Sequence, residues 1–257
     1  MTITIEKLEF FFVILVRISA FLVSAPFFHQ RSVPARVKAG LSFFLSVIVF
    51  NMTEYVPLGY DASIEYAVLV IREAMVGLSL GFTANMCLYI LDLAGRLIDT
   101  EIGFSVVNVL NPISNFQTSV TGSLYTYLVM LVMLVSNMHY FVISAIVDTF
   151  ELIPVNKSAL PSELYVIVVK FVRDYFIIGF RIILPVFASI LVVNIVLGVL
   201  AKVAPQMNMF VIGMQLKLLV GLIILMFVVG MLPSITDFIF NEMKYVLNDM
   251  IKAMAST

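Results

Sequence analysis

The sequence predicts an all-α membrane protein, with about six apolar helical segments whose lengths and interruptions do not suit simple spans. Three observations predict it. Of 257 residues, 62% are hydrophobic and 12% charged, where soluble domains carry roughly 25% charged residues; the mean hydropathy is +1.10. Long runs contain no Asp, Glu, Lys or Arg: Ile18–Gln30, Ala39–Thr53, Ala74–Leu91, Ile102–Val147, Ile182–Ala201, Val203–Leu216 and Leu218–Thr236. Turn residues separate them: Pro34, Pro57 with Gly59, Asn111-Pro112, Pro154 with Pro161, and Pro205 with Asn208. The composition also excludes classes. Fifteen Lys plus Arg against sixteen Asp plus Glu leave a net charge of -1, with no basic excess to hold nucleic acid. One cysteine, Cys87, and two histidines cannot make an intrachain disulfide or the usual structural zinc set.

The first apolar stretch, Leu8–Phe28, follows Glu6, Lys7 and Glu9 and ends Ser24-Ala25-Pro26. It lacks the basic start and cleavage site of a secretory signal, exceeds the roughly 7–15 apolar residues of one, and is expected to be retained. Ala39–Thr53 makes a helix only about 22 Å long, against roughly 30 Å of hydrocarbon. In the third segment Gly77 and Gly81 form a small-xxx-small face. That face admits another helix closely, from a partner or from the same chain.

The run Ile102–Val147 is too long for one span. Its polar stretch of Asn108, Asn111, Pro112, Ser114, Asn115, Gln117, Thr118, Ser119 and Thr121 requires a loop, because Asn111-Pro112 breaks helix and the hydroxyls solvate backbone that lipid could not. Pro185 predicts a kink in the next segment, with Gly179 and Gly198 loosening it on either side. The turn Ala204-Pro205-Gln206-Met207-Asn208 predicts a hairpin between Ile182–Lys202 and Phe210–Leu232, with Asn208 capping the second helix. From 235 to 257, Ile235, Phe238, Ile239, Met243, Val246, Leu247, Met250, Ile251 and Met254 share one face of an amphipathic helix. Its polar face, with Asp237, Glu242 and Asp249 against Lys244 and Lys252, favours a protein partner over an anionic lipid surface.

Charges interrupt the apolar segments: Arg17, Arg72, Glu73, Arg173, Asp174, Arg181 and Lys217. Each costs about 2.5 kcal/mol or more at bilayer depth unless a partner or water receives it. Neighbours such as Arg72 and Glu73, or Arg173 and Asp174, point about 100° apart and are expected to seek partners elsewhere. Those partners stand on other helices of the chain or on neighbouring subunits. The loops show no charge bias that would orient the chain by the positive-inside rule.

No catalytic constellation is spelled. His29 lies in a loop and His139 at a helix boundary after Ser136-Asn137, neither at triad-like spacing from an acid. Asp92, Asp99 and Glu101 could serve a stand-alone secondary transporter or channel, with Arg72, Arg173 or Arg181 as anchors. Arg96, four residues from Asp92 and three from Asp99, favours a neutral salt-bridge ladder instead.

Four blocks together resemble the family of the flagellar biosynthesis protein FliR, core subunits of the type III secretion export gate. They are LPVFASILVVNIVLGVLAKVAPQMNMFVIGMQLKLLVG (184–221), AGRLIDTEIGFSVVNVLNP (94–112), SAPFFHQRSVPARVKAGLSFF (24–44) and GLSLGF (77–82). The second carries a Gly-x-x-x-Asp followed by Gly-Phe-Ser. The resemblance implies one membrane domain over residues 1–257, without cofactor or active site, in the bacterial inner membrane at the flagellar basal body. It implies helices that run as kinked and tilted helical hairpins, partly raised out of the bilayer, rather than simple spans. It implies assembly with FliP and FliQ into a cone-like gate, docking of the switch subunit FlhB, and passage of unfolded exported chains. On that implication the charges named above face neighbouring subunits. The segment Val106, Val107, Asn108, Val109, Leu110, Asn111, Pro112, Ile113, Ser114, Asn115, Phe116, Gln117, Thr118, Ser119, Val120 then plugs the central path.

Overall fold

The computed structural model describes residues 4–30, 33–104, 119–156, 161 and 164–255. Among them stand seven α-helices: α1 Ile5–Ser24, α2 Ala35–Met52, α3 Ser63–Ile102, α4 Val120–Val135, α5 Met138–Leu152, α6 Leu164–Val203 and α7 Met209–Ala255. The chain is an all-α membrane protein. By length and composition four of these helices, α2, α3, α6 and α7, can cross a membrane. A fifth crossing arises if α4 and α5, bent by 77°, count as one broken span. The bend is made at Asn137, whose φ of 58° is left-handed, a conformation asparagine tolerates better than most residues. α1 is long enough to cross but carries Glu6, Lys7, Glu9 and Arg17, too many charges for a simple span.

Three helices are longer than the charge-free runs suggest. α3 and α6 have 40 residues each and α7 has 47, because their flanking charged turns remain helical instead of ending the helix. The stretch from 235 onward is therefore the last part of α7, not a separate element. Its apolar face is real but already covered: Ile239, Phe240, Met243, Val246, Leu247, Met250, Ile251 and Met254 are all buried. From Ile239 onward this face is covered within the chain, while Phe238, on the same face, is exposed.

The chain folds as two compact units. The first comprises Met1–Cys87, Leu134–Val172 and Phe240–Thr257. Its seam between α1 and α2 is aromatic, with Phe11 edge-on to Phe43 at 5.8 Å and to Phe50 at 5.9 Å. α1 and α3 approach most closely at Gly77 and Gly81. A Cβ on Gly77 would overlap the Arg17 carbonyl, and one on Gly81 would meet the Phe21 carbonyl at 2.5 Å. Ser24 Oγ donates across the same contact to the Leu78 carbonyl at 3.3 Å. Of the two uses the sequence allowed for this small-residue face, the structure uses the one within the chain. The loop after α2 is fastened to the start of α1: Tyr55 donates to Glu6 at 3.1 Å, and Tyr60 donates to Glu9. Holding its proton against the Glu9 carboxylate pushes the Tyr60 phenol up to about 12, desolvation adding to the effect.

The second unit comprises Leu88–Met133 and Arg173–Ile239. The hairpin forms where the sequence places it. α6 ends at Val203, Pro205 lies in the turn, and Asn208 Oδ1 accepts from the Phe210 and Val211 amides at 3.2 and 3.4 Å. α3 packs on α6 at Gly179, where a Cβ would touch Leu93 at 3.4 Å. Tyr175 reinforces the contact by donating to the Tyr89 carbonyl at 2.9 Å. Large apolar side chains such as Met226 and Phe227 stand 78% and 71% exposed, far beyond what a water-soluble surface carries in one place. They need lipid or protein outside the chain.

Candidate functional site

The segment expected to plug an export path is 106–120. Residues 106–118 lie outside the described residues; its end, Ser119 and Val120, is held by a polar clamp. The clamp begins with Gly95 and Asp99, one helical turn apart on α3. A Cβ on Gly95 would run into the Gly122 backbone, so α3 and α4 touch at their main chains. That closeness brings the buried Asp99 carboxylate onto the N-terminus of α4. Its Oδ2 accepts from the Val120 amide at 2.7 Å and from Ser119 Oγ at 2.8 Å. Its Oδ1 accepts from the Thr121 amide at 3.2 Å and from the Thr121 hydroxyl at 2.5 Å. Ser119 Oγ in turn accepts from the Gly122 amide at 2.8 Å, as an N-cap serine does.

The first three amides of α4 are thus satisfied by two side chains, and an anion sits where the helix dipole is positive. The clamp fixes Ser119 and Val120 to α3. Gly103, with φ of 98°, closes α3 through its amide bond to the Asp99 carbonyl at 3.1 Å. Asp99 therefore serves the end of α3 through its main chain and the start of α4 through its side chain.

The salt-bridge ladder expected at Asp92, Arg96 and Asp99 is half correct. Arg96 pairs with Asp92 at 2.8 Å on the surface, while Asp99 turns away to α4. The backbone amides it finds there are better partners for a buried carboxylate than an exposed guanidinium. Among the described residues no group of three or more His, Cys, Asp or Glu is arranged to hold a metal ion.

The intramembrane charges separate into kinds. Arg17 and Glu73 are fully buried and pair directly through Nε and Oε2. Arg17 Nη1 also donates to the Ile153 carbonyl at 3.0 Å and the Thr149 carbonyl at 3.3 Å, both at the C-terminus of α5. Its guanidinium lies 4.3 Å from the Phe150 ring centre. One arginine thus answers an acid on α3 and the negative end of α5. This pair is formed within the chain, so neither charge is left for a neighbouring subunit. Arg173 and Asp174 also pair, at 2.9 Å, against the expectation that adjacent residues cannot. The long arginine side chain folds back along the helix surface, and with 66% exposure the bond contributes little.

Arg72, Arg181 and Lys217 line three separate clefts. Arg72 shares a cleft of about 260 Å³ with Tyr60, Glu65 and Asn156. Lys217 shares one of about 330 Å³ with Glu101, Asn194 and Gly103. Arg181 shares one of about 360 Å³ with Pro185, Ser234 and Phe238. Gly95, Gly122, Ser119 and Thr121 were not singled out together from the sequence. The Gly-x-x-x-Asp of 95–99, followed 23 residues later by Gly122, was the available signal.

Residues 8–243 match the family described as bacterial export proteins, family 1. The chain belongs to that family. Among relatives of this family 1 export protein, the flagellar biosynthetic protein FliR of Bacillus subtilis (strain 168) is 36% identical over 225 residues, 86% of each chain. The Escherichia coli (strain K12) protein of that name is 29% identical over 249 residues, 96% of this chain and 94% of the relative. That of Aquifex aeolicus (strain VF5) is 29% identical over 231 residues, 89% of this chain and 87% of its own. The match takes in both units and the whole of the clamp. Whatever role the family 1 export protein has, Gly95, Asp99 and the start of α4 lie inside the shared region.

Proposed function

We propose that this chain is a component of the flagellar export apparatus: a core subunit of the type III protein export gate in the bacterial inner membrane. There it assembles with FliP and FliQ and is met by an FlhB-type switch subunit. The observation that carries this reading is the near end-to-end likeness to proteins named flagellar biosynthetic protein FliR. The uncovered apolar faces of α2, α6 and α7 agree with it: their most apolar stretches are 17%, 28% and 22% buried in the isolated chain. A subunit that finishes its packing against unlike partners and lipid needs such faces. No catalytic step is assigned, since a gate subunit positions and seals a path along which unfolded chains are driven by other components.

Within this reading the segment 106–120 is the plug, tethered at Ser119 and Val120 by Asp99. A segment free of charges closes a path to ions yet has no salt bridge to break when a chain passes. The cations Arg72 and Lys217 then meet neighbouring subunits at their clefts. The stand-alone transporter is disfavoured because Asp92 and Asp99, two of the three carboxylates it would use, already have partners.

The test purifies the tagged full chain from its own membranes and measures the mass and composition of what comes with it. A large complex with unlike proteins is expected, and a monomer or homo-oligomer alone would overturn the gate. Deleting 108–118 should leave that complex intact and raise ion conductance across the membrane. Unchanged conductance in an assembled variant would remove the plug role.

A further inference from the structure

The three clefts differ in charge. Arg72 has Glu65 in its cleft and Lys217 has Glu101, but the cleft of Arg181 contains no carboxylate among its lining residues. Its walls are otherwise apolar: Ile178, Ile182 and Pro185 from α6, with Val228, Met231 and Phe238 among those from α7. Ser234 supplies one hydroxyl. Pro185 lines this cleft and Pro233 adjoins it. Each ring deletes a backbone hydrogen bond within its own helix.

The level of this cleft follows from the charges. Ile182–Ala201 is free of charge between Arg181 and Lys202, and Leu218–Thr236 between Lys217 and Asp237. As helices these runs are about 30 Å long, the thickness of the hydrocarbon core. On the α6–α7 hairpin Arg181 and Phe238 are at one height, with 6.0 Å from the guanidinium carbon to the ring centre. Arg181 therefore marks the edge of the apolar layer, where lipid phosphates stand, and the cleft runs from it into that layer. Asp237, on the neighbouring position of α7, is not among the residues lining the cleft.

We propose that this cleft is a binding site for one anionic phospholipid. The phosphate accepts hydrogen bonds from the Arg181 guanidinium and the Ser234 hydroxyl, while an acyl chain lies along Ile182, Pro185, Val228 and Met231. A lipid supplies both halves of the match on one molecule: an anion at the rim and methylenes below it. Arginine suits the rim because its planar fork takes two phosphate oxygens at once. A headgroup with net negative charge is preferred because a choline would bring a second cation beside Arg181. The site does not depend on the export reading.

The test is native mass spectrometry of the full chain, with whatever proteins co-purify, after delipidation and exposure to phosphatidylglycerol or phosphatidylcholine. Wild type should retain phosphatidylglycerol at least ten-fold better. Arg181→Ala should lose that preference, Arg181→Lys should keep part of it, and Arg173→Ala should keep all of it. Because Arg181→Ala could disturb assembly, Met231→Trp supplies a second route, filling the cleft while leaving the cation in place. It should reduce retention comparably. A photoactivatable phosphatidylglycerol in vesicles of the same lipid should label peptides spanning 178–185 and 228–238 of the wild type. Equal retention of the two lipids, retention unaffected by Arg181→Ala and Met231→Trp, or labelling elsewhere would overturn the site. So would a crosslink from position 181 to an acidic residue of a co-purifying protein with lipid retention unchanged, since the occupant would then be protein.

Discussion

Replacing Asp99 by asparagine changes no shape and removes one charge, so it isolates what the clamp at the start of α4 contributes. The carboxylate accepts four hydrogen bonds, two at each oxygen. An asparagine has one accepting oxygen, and its amide nitrogen would face donors. Two charge-assisted bonds are lost there, one to a backbone amide outright and one to a hydroxyl that can at best turn and accept a neutral bond. Hydrogen bonds to a charged group contribute about 1.5–3 kcal/mol each, and the site is buried, so solvent does not screen them. Two such bonds give a loss of about 3 kcal/mol at the lower end, before the anion's interaction with the helix dipole is counted. At about 1.4 kcal/mol per factor of ten, local opening of the first turn of α4 becomes roughly 100-fold more frequent. Hydrogen exchange of the Val120–Ser123 amides in the purified full chain measures this directly. The order of effect should be Asp99→Ala, then Asp99→Asn, then Ser119→Ala, the last removing an N-cap at about 1 kcal/mol. Exchange in Asp99→Asn within two-fold of wild type would refute the clamp. If 106–120 is a plug, the same variant should also leak ions while still assembling.

Further outcomes follow from the packing and the charges. Removing one partner of the buried Arg17–Glu73 pair, as in Glu73→Gln, should cost about 3–5 kcal/mol in thermal unfolding, whereas Arg17→Met with Glu73→Leu should cost less than either single change. The double variant leaves no charge in the core; additivity of the two losses would contradict the pairing. Gly95→Ala should destabilise by about 1–3 kcal/mol or more, because its methyl meets the Gly122 backbone, which cannot rotate away; Gly198→Ala, with open space around it, should be neutral by the same unfolding assay. Tyr60 should ionise only near pH 12 in an ultraviolet titration, with that step absent from Tyr60→Phe. Since its folded pKa is raised above the ordinary 10.0, its contribution is complete below pH 10 and is lost as pH rises through about 12.

The fold class was legible because lipid-facing helices must exclude charge, and the charge-free runs record that directly. The α6–α7 hairpin was legible for a local reason: Pro205 and Asn208 act within one turn of where they stand. Partners were harder. Arg17 reads as a buried charge that needs an acid, but the acid is 56 residues away. Nothing in Arg72-Glu73 tells which of the two faces inward. Asp99 was read as the end of an Arg96 ladder because side-chain spacing is visible in a sequence and backbone amides are not. The amphipathic end of α7 was legible in its pattern. Periodicity reports that a face will be covered, not by what.

The charges that seemed to demand neighbouring subunits divide by burial. Arg17 and Glu73, the deepest, pair with each other within the chain, since nothing from outside can reach a fully buried group in a folded chain. Arg173 and Asp174 pair at the surface, where water or a partner could replace either bond at little cost. Arg72, Lys217 and Arg181 remain at cleft rims, able to be reached. Two of those clefts already hold a carboxylate and one does not. A neutral cleft can be covered by an apolar or polar protein surface without leaving a buried charge; a cleft with one cation requires an anion from whatever covers it. The same sequence thus sets different conditions on its surroundings at three places. Exchanging the charge at Arg181 should be felt through lipid, and at Arg72 and Lys217 through protein.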